Sequence, residues 1–270
     1  MSEIAEIFSH PFMVRALVVG VLISIAAALV GVTLVLRKNS MIGDGLSHTA
    51  FGAFAIATVL GLAPLWFAIP AVIVSSFLVL RLGNKKTNGD SAIALLSASS
   101  LAIGILAISV SRGVNIDLNS YLFGSILSVG WEDVLIGAVV AAAVVGFFIV
   151  AFHRIFAITF DVEFAKSVGV KTGLYDAIFA IICSLVIVIG MRLLGALLIS
   201  SLIIFPTIIA MKFSKSFKSV TIIAVLISLI NFFIGLVLSY LLSTPTGATV
   251  VITNLVVLLL VSIFNKIAKN

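Results

Sequence analysis

Charge is scarce in this 270-residue sequence: Asp, Glu, Lys and Arg make up 10% of it, with 10 acidic and 16 basic residues. Beside 62% hydrophobic residues and a mean hydropathy of +1.37, so few charges exclude a water-soluble globule, in which they are about 25% of residues. Cysteine is nearly absent. Cys183 stands alone in an apolar run, which excludes an intramolecular disulfide and leaves it as a packing residue. The opening MSEIAEIFSH is acidic and polar, whereas a secretory leader starts basic and turns apolar, so the first apolar run is expected to stay in the mature protein. Chemical motifs are missing as well. There is no His-Glu-x-x-His, and a lone histidine among apolar runs leaves little for a serine hydrolase. SVGVKTG at 167–173 lacks the Gly-Lys-Ser/Thr of a phosphate loop, so ATP hydrolysis by this chain is not expected.

What is present is length in apolar runs. Nine stretches reach helix-spanning size, at about 12–36, 43–61, 63–80, 91–110, 134–152, 175–191, 193–211, 219–242 and 247–264. They lack the period-two alternation of a lipid-facing barrel strand, and a spanning backbone must satisfy its own hydrogen bonds. The expected fold is all-α: a polytopic membrane helix bundle of about eight or nine spans, some broken or re-entrant. No connection is long enough to fold alone, so residues 1–270 are expected to form one membrane domain. Threading the spans alternately puts 13 of the 16 basic residues on one face, leaving Arg15, Arg112 and Arg192 at the other. By the positive-inside rule the crowded face is cytoplasmic, with the N-terminus outside and the C-terminus inside. The net charge of +6 then reflects topology and needs no nucleic-acid partner.

Against this background MIGDGLSHTAFG, at 41–52, is anomalous. Asp44 and His48 lie inside or at the inner edge of an apolar run, where an ionised carboxylate costs roughly 2.5–3.5 kcal/mol. Four residues apart on a helix, they share a face with Cβ atoms about 5–6 Å apart, so one divalent ion can touch both side chains. Gly43 and Gly45 fit a helix start that admits a close neighbour. The alternative is that Asp44 caps the helix and His48 is a packed, hydrogen-bonded side chain. Two ligands leave a tetrahedral shell incomplete, so other helices or water must supply the rest.

The sequence resembles the integral-membrane permeases of bacterial zinc and manganese ABC importers. The resemblance covers nearly the whole chain and rests on VLRKNSMIGDGLSHTAFGAFAIA at 34–56, YLFGSIL at 121–127, TFDVEFAKSVGV at 159–170, RLLGALLISSLIIFPTIIA at 192–210 and PTGATVV at 245–251. It implies a homodimeric permease, similar to the metal-chelate importers, working with a separate cytoplasmic ATP-binding subunit and an extracellular metal-binding protein. No permanently bound cofactor is implied. The cargo is a divalent metal ion, zinc by closeness of the MIGDGLSH region and manganese as the other choice. Asp44 and His48 fall on the family's metal-coordinating pair, and Ser47 on a serine expected to serve packing. Gly45 replaces the alanine of many relatives, a departure expected to loosen the turn.

The inner connection 153–174 is too polar to span. Asp161 precedes a short amphipathic run, Phe160, Phe164, Ala165 and Val168, closed by Gly169, which predicts a short helix. The resemblance makes this the ATPase-coupling segment, with Asp161, Glu163, Phe164, Ala165 and Gly169 as its residues. An interfacial helix resting on lipid headgroups is the other reading. On the outer side Tyr121, Trp131 and Glu132 look like interface anchors, available to the delivery protein. A secondary transporter using Asp44 and His48 as a proton relay or cation site, without an ATPase, is the functional alternative.

Overall fold

The computed structural model describes residues 11–83, 89–111, 124 and 129–267; YLFGSIL with its Tyr121, and Arg112, lie outside them apart from Gly124. Among the described residues the chain is helical and strand-free. We number the helices α1 (Pro11–Leu36), α2 (Ile42–Val59), α3 (Pro64–Gly83), α4 (Gly89–Val110), α5 (Trp131–Phe160), α6 (Val162–Ser167), α7 (Thr172–Leu194), α8 (Ala196–Phe213), α9 (Phe217–Leu242) and α10 (Thr246–Ile267). Each of the nine apolar runs becomes one long helix, and α6 is the short one. Seven helices among the described residues are long and apolar enough to cross a membrane: α1, α4, α5 and α7 to α10. The apolar part of α3, Pro64–Leu80, is shorter, and α2 is diluted by the polar residues of its first two turns. The chain is a multi-pass membrane protein.

The largest departure from the sequence expectation is α5. The apolar run spans 134–152, yet the helix is 30 residues long, Trp131–Phe160, and carries His153 and Arg154 within it. At 1.5 Å per residue it measures about 45 Å, half as long again as a hydrocarbon core of about 30 Å. Single polar residues do not stop a helix whose backbone bonds are already propagating. Arg154 is accommodated by donating to the Tyr175 hydroxyl and lying over its ring, 5.5 Å from the centroid. His153 meets Phe152 edge to face. The inner connection therefore shrinks from 153–174 to 161–171.

Among the seven long spans α1 and α7 are the most enclosed, while α4 and α10 turn most of their side chains outward. α1 packs on α5, α8 and α9; α2 sits between α3 and α4 and also touches α7 and α8; α8, α9 and α10 form a mutual group. The chain breaks at Gly195, at φ 94° and ψ 155°, which ends α7 and starts α8 within one residue. Only glycine takes that conformation without strain. Ile199 of α8 is brought back against Gly190 of α7.

Small and hydroxyl residues set the spacing between helices, as expected where lipid offers no hydrophobic drive to associate. A Cβ on Gly52 of α2 would stand 2.5 Å from the Ser100 carbonyl oxygen of α4, and one on Gly104 of α4 would stand 2.9 Å from the Gly52 Cα. In the α8–α9–α10 group, Asn231 donates to Asn254 at 2.7 Å and Asn254 to Ser201 at 3.1 Å, all three buried. Ion pairs mark the two ends of the bundle. Asp133 at the start of α5 meets Arg192 at the end of α7, 3.3 Å apart. Arg37 at the end of α1 meets Asp176 at the start of α7.

Candidate functional site

The turn after α1 is short and held by backbone bonds: Arg37 N–H donates to the Thr33 carbonyl, Lys38 to Val35, Asn39 to Leu34 and Ile42 to Asn39. It delivers Asp44 into the first turn of α2, where the partial positive charge of the helix start favours a carboxylate. Helix α2 begins from Met41 without any side-chain cap, so the carboxylate of Asp44 is free of the capping duty considered above. It points instead toward His48. Asp44 Oδ2 and His48 Nε2 are 3.7 Å apart, with the two side chains 44% and 22% exposed.

That separation matters in two ways. It is too long for a strong hydrogen bond, so the pair has not closed on itself. At an ion about 2.1 Å from each atom the two would lie about 124° apart, wider than the tetrahedral angle but within reach of one ion. His48 Nδ1 is buried and has no hydrogen-bond partner among the described residues, leaving Nε2 as the nitrogen turned toward the carboxylate.

The surroundings are polar on one side. Ser200 Oγ of α8 lies 3.5 Å from Asp44 Oδ1 and 3.5 Å from Ser47 Oγ. Ser47 is buried and donates to the Asp44 carbonyl at 2.7 Å. Ser200 was not foreseen, because a serine in an apolar run carries no spacing signal. Its neighbour Ser201 belongs to the buried Asn231–Asn254 network, which fixes the α8 face presented to Asp44. Gly45 also differs from expectation. It sits inside the first turn, where a Cβ would stand 2.6 Å from Ile93 Cγ2 of α4. Its small size admits α4; it does not loosen the turn. Among the described residues no group of three or more His, Cys, Asp or Glu converges, so within them Asp44 and His48 have no third side chain of these types.

The second candidate region is built as its sequence suggests. Asp161 caps α6 by accepting from Phe164 N–H at 2.9 Å. The helix is closed by Gly169 N–H to the Lys166 carbonyl and Val170 N–H to the Ala165 carbonyl, both at 3.0 Å, with Gly169 at φ 82°. This paired closure needs a left-handed residue after the cap, which explains the glycine. Glu163 pairs with Lys166 at 2.8 Å. Phe160, Val162, Phe164 and Val168 are exposed, whereas Ala165 is fully buried against the chain. The apolar knob is thus Phe164 and its neighbours, and Ala165 seats the helix. At the other end Trp131 is exposed.

A multi-pass helical bundle with a partly exposed carboxylate–imidazole pair and a separate capped helix outside its spans has the build of a permease. Residues 9–265 match the ABC 3 transport family, and the chain belongs to that family. It is accordingly a transporter membrane subunit rather than an enzyme. A probable metal transport system membrane protein of Thermotoga maritima is 31% identical over 93% of this chain and 89% of its own length. The high-affinity zinc uptake system membrane protein ZnuB of Haemophilus influenzae is 29% identical over 93% and 96%. The manganese import system permease protein ScaB of Streptococcus gordonii is 30% identical over 92% and 89%. Among solved structures, PsaBC from Streptococcus pneumoniae in complex with Fab superposes with a TM-score of 0.84 at 29% identity, covering 96% of this chain and 95% of that one.

Proposed function

We propose that two copies of this chain form the membrane pathway of an ATP-driven importer for a divalent transition metal, with Asp44 and His48 of each copy as the metal-handling pair. The observation that carries the reading is the 3.7 Å separation of Asp44 Oδ2 and His48 Nε2, both partly exposed on a helix mostly buried in the bundle. A second copy brings another Asp and His, which completes four-coordination without a third ligand from either chain. The site is sparse within one chain, which suits a cargo that must be released. Zinc is the proposed cargo, from the closeness of the MIGDGLSH region to zinc-type relatives, with manganese as the other choice. One Asp and one His suit either ion, so the uptake assay is run with both metals.

In this reading the α6 knob docks on a cytoplasmic ATP-binding subunit, and an extracellular metal-binding protein delivers the ion to the end carrying Trp131. Residues 1–270 act as one membrane domain, with the N-terminus outside and the Arg37, Arg154, Lys166 end in the cytoplasm. The experiment is ATP-dependent uptake of radiolabelled zinc and manganese into proteoliposomes holding the permease with its ATPase and binding protein. Asp44→Ala and His48→Ala are expected to abolish uptake with assembly intact. Unchanged uptake in both variants removes the site, and uptake driven by a proton gradient with this chain alone replaces the importer with a secondary transporter.

A further inference from the structure

We infer that the Arg37–Asp176 ion pair is a positioning link that carries movement of the 161–171 segment to the helix bearing Asp44 and His48, keeping ATP turnover and transport in step. The inference rests on the importer reading above. Arg37 Nη1 donates to Asp176 Oδ1 at 2.8 Å, with the side chains 15% and 30% exposed. The guanidinium also lies 5.6 Å from the ring centroid of Phe179, one turn further along α7. A partly enclosed, charge-assisted bond braced by a ring is directional in a way that an exposed lysine pair is not. The Glu163–Lys166 pair, by contrast, is exposed and spans three residues. Arg37 Nε is buried without an acceptor among the described residues, so Asp176 is what holds the guanidinium.

Both ends of the link are anchored without slack. On one side the closure of α6 runs into Thr172 N–H to the Val170 carbonyl at 2.8 Å and Leu174 N–H to the Lys171 carbonyl at 3.0 Å. Asp176 therefore lies five residues beyond the segment on a continuous helix. On the other side Arg37 opens the bonded turn that ends in α2, seven residues before Asp44, and Gly45 N–H closes it on the Met41 carbonyl at 3.0 Å. Helix α7 also touches α2 directly, but apolar contact tolerates sliding and a bonded ion pair does not. Two other contacts at this end lead elsewhere: Arg154 on Tyr175 ties α7 to α5, and Phe156 and Phe160 of α5 against Phe217 lead to α9, and neither α5 nor α9 carries Asp44 or His48. A displacement of α6 that shifts the start of α7 must therefore pull on the turn feeding Asp44.

The test measures metal uptake and ATP hydrolysis in parallel in the reconstituted complex, with radiolabelled zinc and manganese as the probes. Asp176→Asn keeps the side-chain shape and Arg37→Lys keeps the charge, so both are expected to assemble. Metal transported per ATP should fall about fivefold or more, the lower end of ordinary coupling between sites, while hydrolysis persists. The double exchange Arg37→Asp with Asp176→Arg should recover part of that ratio. An unchanged ratio in both single variants overturns the link, as does a loss of uptake matched by an equal loss of assembled complex. A wild-type complex that takes up neither metal with ATP refutes the importer reading instead, so the two failures are distinct.

Discussion

Replacing Gly52 by alanine tests whether the helix carrying Asp44 and His48 is held in place by backbone contact with α4. The new Cβ would stand 2.5 Å from the Ser100 carbonyl oxygen, about 0.9 Å inside ordinary contact of about 3.4 Å. The nearest atoms all belong to the Ser100 backbone, so no side chain can swing aside. Overpacking of this kind costs about 1–3 kcal/mol, against a gain of up to about 1 kcal/mol because alanine is the better helix former. Gly146 provides the control: it is an exposed helical glycine of α5 whose added Cβ meets nothing within 4 Å. Gly146→Ala should be neutral or slightly stabilising. Gly52→Ala should lower the apparent melting temperature of the purified permease in detergent by at least about 2 °C relative to that control, and reduce metal uptake as α2 shifts. If the two variants melt within about 1 °C of each other, closely packed backbones are not what positions α2.

Removing the buried amide in Asn254→Ala strands Asn231 and Ser201, a loss of about 1–3 kcal/mol read as lower thermal stability. Because Ser201 adjoins Ser200, uptake should fall as well; full stability and uptake would show that the network holds nothing. Phe164→Asp on the α6 knob should abolish co-purification of the ATP-binding subunit while the permease itself remains folded, and retained co-purification would move the docking surface elsewhere.

The sequence alone determined the class of protein and most of its helices, because hydropathy over about 20 residues is a local property and the bilayer acts on it directly. The Asp44–His48 pair was legible for the same reason: an i, i+4 relation is fixed by one helix, whatever surrounds it. So was α6, whose cap at Asp161 and closure at Gly169 are made within nine residues. The end of α5 was not legible, since Arg154 is accommodated by Tyr175 from another helix. Nor were the approach of Ser200 to Asp44, the close packing of Gly45 and Gly52 on α4, or the joining of Arg37 to Asp176 across 139 positions. Each depends on which helix faces which. That is decided by small residues and buried polar bonds between helices, and it leaves no periodicity in the chain itself.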